Sequence, residues 1–274
     1  MWTVPGNDKE LAMLVIGERI NGMFEDVKKA VATKDSKVIQ NIAKKQVEAG
    51  AQVLDINVGP ASADAAGAMK WLIEVIQEVV SVPLALDSPN TKVIRSGLEV
   101  CRNEVIINST TGQKEKLDIL IPLALERKAS LVGLTMDEKG IPRDANTRAE
   151  IAVKIITAAT EYGFPIENLY IDPIILPCNV AQLQAGEVLE SIRQIKILSD
   201  PPPKTVLGLS NVSQGTRERP LINRIYLIMA IAAGLDAAIM DPLDDDLMNA
   251  MITAELLLNK NIYCDSFLSA YRKR

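Results

Sequence analysis

A (β/α)8 TIM barrel is the fold class this sequence predicts. Three observations point to the barrel. Short apolar runs alternate with amphipathic runs from end to end, eight such pairs fill 274 residues, and no linker or low-complexity stretch divides them. A single barrel of this kind commonly takes about 250 residues. The chain therefore reads as one domain, 1–274, with 1–10 as an N-terminal extension. An open doubly wound sheet is the alternative, because periodicity carries no information about closure.

The strand candidates are LAMLVIG (11–17), AQVLDIN (51–57), PLALD (83–87), VIIN (105–108), SLVGLT (130–135), LYID (169–172), TVLGLS (205–210) and AAIMD (237–241). Most are continuous apolar runs too short for independent helices, the pattern of parallel strands covered on both faces. Between them, 64–80 repeats Met69, Leu72, Ile73, Ile76, Val79 and Val80 at helical spacing, and 91–101 does so with Val93, Ile94, Leu98 and Cys101. Thr147 with Glu150 gives a capping-box pattern ahead of Ile151, Ile155 and Ile156. Gly50 and Gly234 stand where helices should stop.

Composition narrows the function. Hydrophobic residues make up 48% and aromatics only 4%, so the core is aliphatic. A net charge of -5 opposes a nucleic-acid partner, which calls for a basic excess. Cys101, Cys178 and Cys264 form no CxxC and suggest neither zinc nor disulfides. The start, MWTVPGNDKE, lacks the layout of a signal peptide, and the most apolar stretch, 225–235, is too short to cross a bilayer. A soluble, cytoplasmic protein is expected, with no membrane partner. There is no histidine at all. That excludes Ser-His-Asp and Cys-His nucleophiles, His-ligated zinc or iron, and a histidine ligand to cobalt.

The strand ends carry the chemistry. They read Glu18-Arg19, Asp55 and Asn57, Asp87-Ser88, Asn108-Ser109-Thr110, Thr135, Asp172, Ser210-Asn211 and Asp241. In a closed barrel these C-terminal ends meet at one mouth, where active sites of the fold lie. A single Asp after a strand is usually a helix cap or turn residue, and Asp64 and Asp241 are read so. Asp87, Asn108 and Asp172 instead close wholly apolar runs, and with Asp55 and Asn211 they suggest a polar cup. Carboxylates and amides without histidine suit a hard cation such as magnesium, or a flat heterocycle rich in N–H donors such as a pterin. No lysine ends a strand, which disfavours a Schiff-base enzyme.

At IGERING (16–22), LDINVGP (54–60), LDS (86–88), INST (107–110), GLTM (133–136), YIDPIILP (170–177), LGLSNVSQ (207–214), RPLINR (219–224) and GLDAAIMDP (234–242) the chain resembles the pterin-binding methyltransferases that act with corrinoid proteins. Within that group it looks most similar to the methyltetrahydrofolate:corrinoid/iron-sulfur protein methyltransferases. The ordered set of motifs is specific where each alone is weak. The resemblance implies a homodimeric barrel of the pterin-binding, dihydropteroate synthase-like type that binds methyltetrahydrofolate or tetrahydrofolate as substrate and works with a corrinoid (cobalamin) carried by a partner protein. It places Asp87, Asn108 and Asp172 on the pterin ring and Asn211 near N5, with Gln214 and Arg219 as further folate contacts. Asp55 matches a motif residue and supports its neighbours. Pro89 departs from the pattern, where a polar residue would follow Asp-Ser. The tail SAYRKR lacks the Arg-x-His ending of dihydropteroate synthases.

With this resemblance the expected reaction moves a methyl group, in either direction, between N5 of the folate and cobalt. Asn211 is expected to accept a hydrogen bond from N5–H+ as positive charge develops. No metal site is assigned. Three rivals stand beside this reading: a dihydropteroate synthase-like enzyme, a magnesium-dependent lyase using Asp55, Asp87 and Asp172, and a non-catalytic folate-binding subunit.

Overall fold

In the computed structural model, which describes residues 13–272, eight parallel strands close in sequential order into a barrel, β8 pairing with β1. The strands are β1 (Leu14–Asn21), β2 (Val53–Asn57), β3 (Leu84–Asp87), β4 (Val105–Thr111), β5 (Ser130–Leu134), β6 (Leu169–Asp172), β7 (Lys204–Gly208) and β8 (Ala237–Met240). The helices are α1 (Glu25–Thr33), α2 (Ser36–Glu48), α3 (Ala65–Gln77), α4 (Thr91–Val100), α5 (Lys114–Arg127), α6 (Ala145–Glu161), α7 (Cys178–Ala181), α8 (Gln184–Ile195), α9 (Arg219–Ala233), α10 (Asp245–Leu257) and α11 (Phe267–Tyr271). Closure excludes the open-sheet alternative. The 1–10 extension lies outside the described residues, as do residues 11 and 12 of the first strand candidate and the last two of the tail.

The apolar runs become strands because both faces are buried. Leu54, Ile56, Leu84, Leu86, Leu131 and Ile171 pack outward against the helix layer, each fully covered. The alternate residues fill the barrel. Burying a side chain of this size is worth roughly 1.5–3 kcal/mol, which outweighs the weak local preference of so short a segment. Among the described residues no helix is long and apolar enough to cross a membrane.

Several local expectations change. β1 runs on past Gly17 to Asn21, with a register shift between Gly17 and Ile20, so Glu18 is a strand residue. β4 likewise continues to Thr111 through a shift between Asn108 and Thr110. The capping box at Thr147 and Glu150 is wrong: Asp144 caps α6, its Oδ1 accepting from the Thr147 backbone N–H at 2.8 Å. An aspartate accepts as well as Thr, and its position three residues earlier lets the helix begin sooner. Asp64 does cap α3, and Asp241 forms a turn by accepting from the Leu243 N–H. Gly234 ends α9 in the left-handed region, φ 107°. Gly22, in the first motif, has no room for a side chain: a Cβ would lie 1.9 Å from the Val58 carbonyl oxygen.

Candidate functional site

Alternation sends every second strand residue into the barrel. A middle layer of Ile16, Val53, Ala85, Ile106, Val132, Tyr170, Val206 and Ala237 packs shut beneath the mouth. Two residues further along each strand the ring becomes Glu18, Asp55, Asp87, Asn108, Leu134, Asp172, Gly208 and Ile239. All eight line a cavity of about 300 Å³, whose wall also includes Asn21, Ser210 and Asn211. The lower end of the usual range for small-ligand sites is roughly 300 Å³. The polar half of the ring comes from β1 to β4 and β6. Leu134, Met136, Ile141, Ile174 and Ile239 give the rest an apolar wall.

The carboxyls accept from neutral donors rather than from cations: side-chain amides at Asp55 and Asp87, a backbone N–H at Asp172 and a hydroxyl at Glu18. Asp87 and Asn108 are direct neighbours across β3 and β4. Asn108 donates from Nδ2 to Asp55 Oδ1 at 3.0 Å, which leaves its carbonyl oxygen as an acceptor for a ligand. Asn57 donates from Nδ2 to Asp87 Oδ2, while its own Oδ1 accepts from the Gly59 N–H at 2.7 Å. Asp87 is therefore held by one oxygen and free to bind with the other. Asp172 Oδ1 accepts from the Ile174 N–H at 2.7 Å.

Burial without a salt bridge raises all four acids. Asp172 is pushed up to about 7 by burial, against the pull of the Ile174 and Gly208 N–H groups and Arg148. Asp87 is pushed up to about 6 by burial, opposed by the Asn57 bond. Asp55 is raised well above the carboxylate range by burial first and then by the charges of Asp87 and Glu18. Glu18 is pushed up to about 7 by burial, with Asp241 adding to the rise. These groups keep their protons to a higher pH than a surface carboxylate would.

Asn211 sits in a single 3-10 turn, Leu209–Ser213, directly after β7. Buried Leu209, Val212 and Ser213 anchor that turn and leave Asn211 exposed to the mouth. Gly208 makes the space: a Cβ there would stand 2.9 Å from the Asn211 Nδ2. Five sequence candidates, Asp55, Asp87, Asn108, Asp172 and Asn211, thus share one cavity. Gln214 and Arg219 stand outside its lining, both exposed at the rim. Arg219 is tied to the turn through Ser213 Oγ (3.3 Å) and the Ser210 carbonyl (3.5 Å).

Sequence reading named Glu18 and Asn57 only as strand-end residues and gave neither them nor Arg148 a role in the site. Glu18 faces the cup, and counting inward from Ile16 would have found it. Asn57 orients Asp87, and the same count from Asp55 reaches it. Arg148 is fully buried on α6 and donates to the Pro173 carbonyl at 2.8 Å and to Gln184 Oε1 at 2.8 Å, clamping the loop after Asp172. Nothing local marks that role. Among the described residues no group of three or more His, Cys, Asp or Glu is arranged to hold a metal ion.

Known proteins agree with this geometry. The pattern of the family described as pterin binding enzyme matches residues 17–241. A methylcorrinoid:tetrahydrofolate methyltransferase from Eubacterium limosum is 31% identical over 266 residues, covering 95% of this chain and 97% of that protein. Methionine synthase from Mycobacterium tuberculosis is 32% identical over 244 residues, 84% of this chain but only 20% of the longer enzyme. Among solved structures, a dihydropteroate synthase from Coxiella burnetii with pteroic acid superposes with a TM-score of 0.66 at 14% identity, over 89% of this chain and 94% of that one. The dihydropteroate synthase of Xanthomonas albilineans gives 0.66 at 16% identity, over 90% and 94%. At such identities the structural likeness establishes the barrel alone. The family match spans every strand end that lines the cup, and it bears out the resemblance carried by the motifs: this chain belongs to the pterin-binding enzyme family.

Proposed function

We propose that the protein is a methyltransferase that moves a methyl group between N5 of tetrahydrofolate and the cobalt of a corrinoid carried by a separate protein. One observation carries the reading: a chain that is 31% identical to a methylcorrinoid:tetrahydrofolate methyltransferase across almost the full length of both proteins gathers a ring of carboxyl and amide groups at the barrel mouth. A reduced pterin fits this donor set. Its ring N–H and exocyclic amine call for carboxylate acceptors, which Asp87 and Asp172 offer, and its ring nitrogens and carbonyl call for the mixed character of Asn108. Asp55 serves by fixing the Asn108 amide. Gln214 and Arg219, on the rim, meet the part of the folate that leaves the cup.

The chemical difficulty is the leaving group. A tertiary amine gives up a methyl group only when its nitrogen is protonated, because the product is then a neutral amine. Asn211 stands at the mouth with room to turn, and its carbonyl accepts a hydrogen bond from N5–H+ that strengthens as charge develops. The cobalt substrate is brought by the partner, in keeping with a chain that has no histidine to serve as its axial ligand. A homodimer in the cytoplasm completes the proposal. The test is a methyl-transfer assay in both directions with candidate corrinoid proteins, together with titration of tetrahydrofolate. Tight folate binding with transfer in either direction supports the reading, and a protein that binds no folate overturns it.

A further inference from the structure

We propose that Glu18 is the acid that delivers the proton to N5 and recovers it when transfer runs the other way. This rests on the methyl-transfer reading above. Glu18 lines the same cavity as Asp87, Asn108 and Asp172. Ser210, the neighbour of Asn211, donates from Oγ to Glu18 Oε1 at 2.7 Å. That bond links the acid to the turn carrying the N5 amide across the intervening strand β8. It also occupies one oxygen, so the acid's own proton sits on Oε2, the oxygen left for a ligand.

The charged groups around Glu18 decide whether it can do this near neutrality. Asp241 at the end of β8 raises it, Arg219 on α9 and its neighbour Arg19 lower it, and Asp55 on β2 interacts with it in the same low-dielectric cup. Burial outweighs the two arginines and leaves the carboxyl at about 7. A general acid works best when its pKa lies near the working pH. Two other carboxyls of the cup are raised as far or further, but Asp55 has its Oδ1 engaged by Asn108 and is 3% exposed, and Asp172 has its Oδ1 engaged by the Ile174 N–H.

In the forward step the Glu18 O–H bond breaks and N5–H forms, leaving a carboxylate and an ammonium centre. The methyl group then passes from N5 to the partner's cobalt(I), which gives two electrons to the new bond, while the C–N pair returns to N5. The folate leaves as a neutral secondary amine that keeps the proton. In reverse, N5 attacks the methyl group, cobalt(I) departs with the bonding pair, and Glu18 carboxylate takes the proton from the resulting ammonium.

The experiment compares wild type, Glu18→Gln, Glu18→Asp and Ser210→Ala, using methyltetrahydrofolate and a competent reduced corrinoid protein in single turnover, with folate titration and urea unfolding alongside. Glu18→Gln should keep its fold and its folate Kd within about threefold while the forward rate falls about 10²-fold or more, the usual worth of a general acid. Glu18→Asp should recover part of that loss. The wild-type forward rate should fall as pH rises through about 7, and Ser210→Ala, by removing a bond that stabilises the carboxylate, should move that limb upward. A Glu18→Gln protein with the wild-type rate and pH limb overturns the acid role, as does one whose only defect is folate affinity. Wild type that binds folate but transfers no methyl group overturns the underlying reading, and the role of Glu18 with it.

Discussion

Replacing Asp172 by asparagine should alter stability and folate capture in opposite directions above neutrality, and pH separates the contributions. The Asp172 carboxyl is held at about 7 by burial, against an ordinary 3.8. Between those values the folded protein keeps a proton that the unfolded chain releases. This contribution to stability is therefore fully present below pH 3.8 and is lost as pH rises through about 7. At about 1.36 kcal/mol per pH unit, the interval is worth at most about 4 kcal/mol. Asparagine cannot ionise, so it avoids the loss. It does lose an acceptor facing the Ile174 and Gly208 N–H groups, a penalty of about 1–3 kcal/mol at every pH. Asp172→Asn should thus be less stable than wild type near pH 4 and overtake or match it by pH 8. Urea unfolding at several pH values reads this directly. A constant difference between the two proteins from pH 4 to 8 would refute the assignment of Asp172 as a buried acid of high pKa. On the same samples at pH 8, tetrahydrofolate affinity should drop about tenfold or more, the worth of a charge-assisted hydrogen bond.

Other perturbations probe the remaining parts of the site. Asn211→Ala should lower the methyl-transfer rate by about 2–4 kcal/mol in activation energy while leaving folate Kd nearly unchanged, because its interaction grows in the transition state; single-turnover rates beside calorimetry check this. Gly208→Ala should push the Asn211 amide aside, since the new Cβ meets only the tip of that flexible side chain at 2.9 Å. Its melting temperature should stay close to wild type while transfer slows. Asn57→Ala removes the donor that stabilises ionised Asp87, so the pH at which folate binding weakens should move upward from about 6 in a binding titration.

The barrel was legible because eight apolar runs of strand length can be buried only between a packed interior and a helix layer. Closure was not, since strand order is settled by β1 meeting β8, more than 200 residues apart. The cup was legible where an acid or an amide ended an apolar run, as at Asp87, Asn108 and Asp172. It was obscured at Glu18, because Glu18-Arg19 reads as the polar stop of the first strand, whereas β1 continues through it to Asn21 and Glu18 lines the cup. Arg148 shows the opposite limit. An arginine in the first turn of a helix reads as solvated surface, yet here the Pro173 carbonyl and Gln184 draw it fully inside. Thr147 and Glu150 fit a capping pattern that Asp144 pre-empted, because several side chains near a helix start can compete for the same N–H groups.

The pairing of these acids with neutral N–H and O–H donors, rather than with lysines or arginines, has a mechanistic consequence. A cation beside each carboxyl would hold it ionised at every working pH and fix the charge of the cup before a ligand arrived. Neutral donors orient the carboxyls without that effect, so charge follows the ligand. On the reading proposed above, pterin N–H donors draw Asp87 and Asp172 into their ionised forms. The negative charge gained on Asp87 then presses on Asp55, which already feels both Asp87 and Glu18. Like charges in a low-dielectric space resist further ionisation, so the remaining acids hold their protons more firmly and release them only to a base. The base that methyl transfer requires is N5 itself. A cup built this way keeps its acid protonated until the folate nitrogen is in place, and the absence of histidine from the chain becomes a condition the carboxyl cluster can meet.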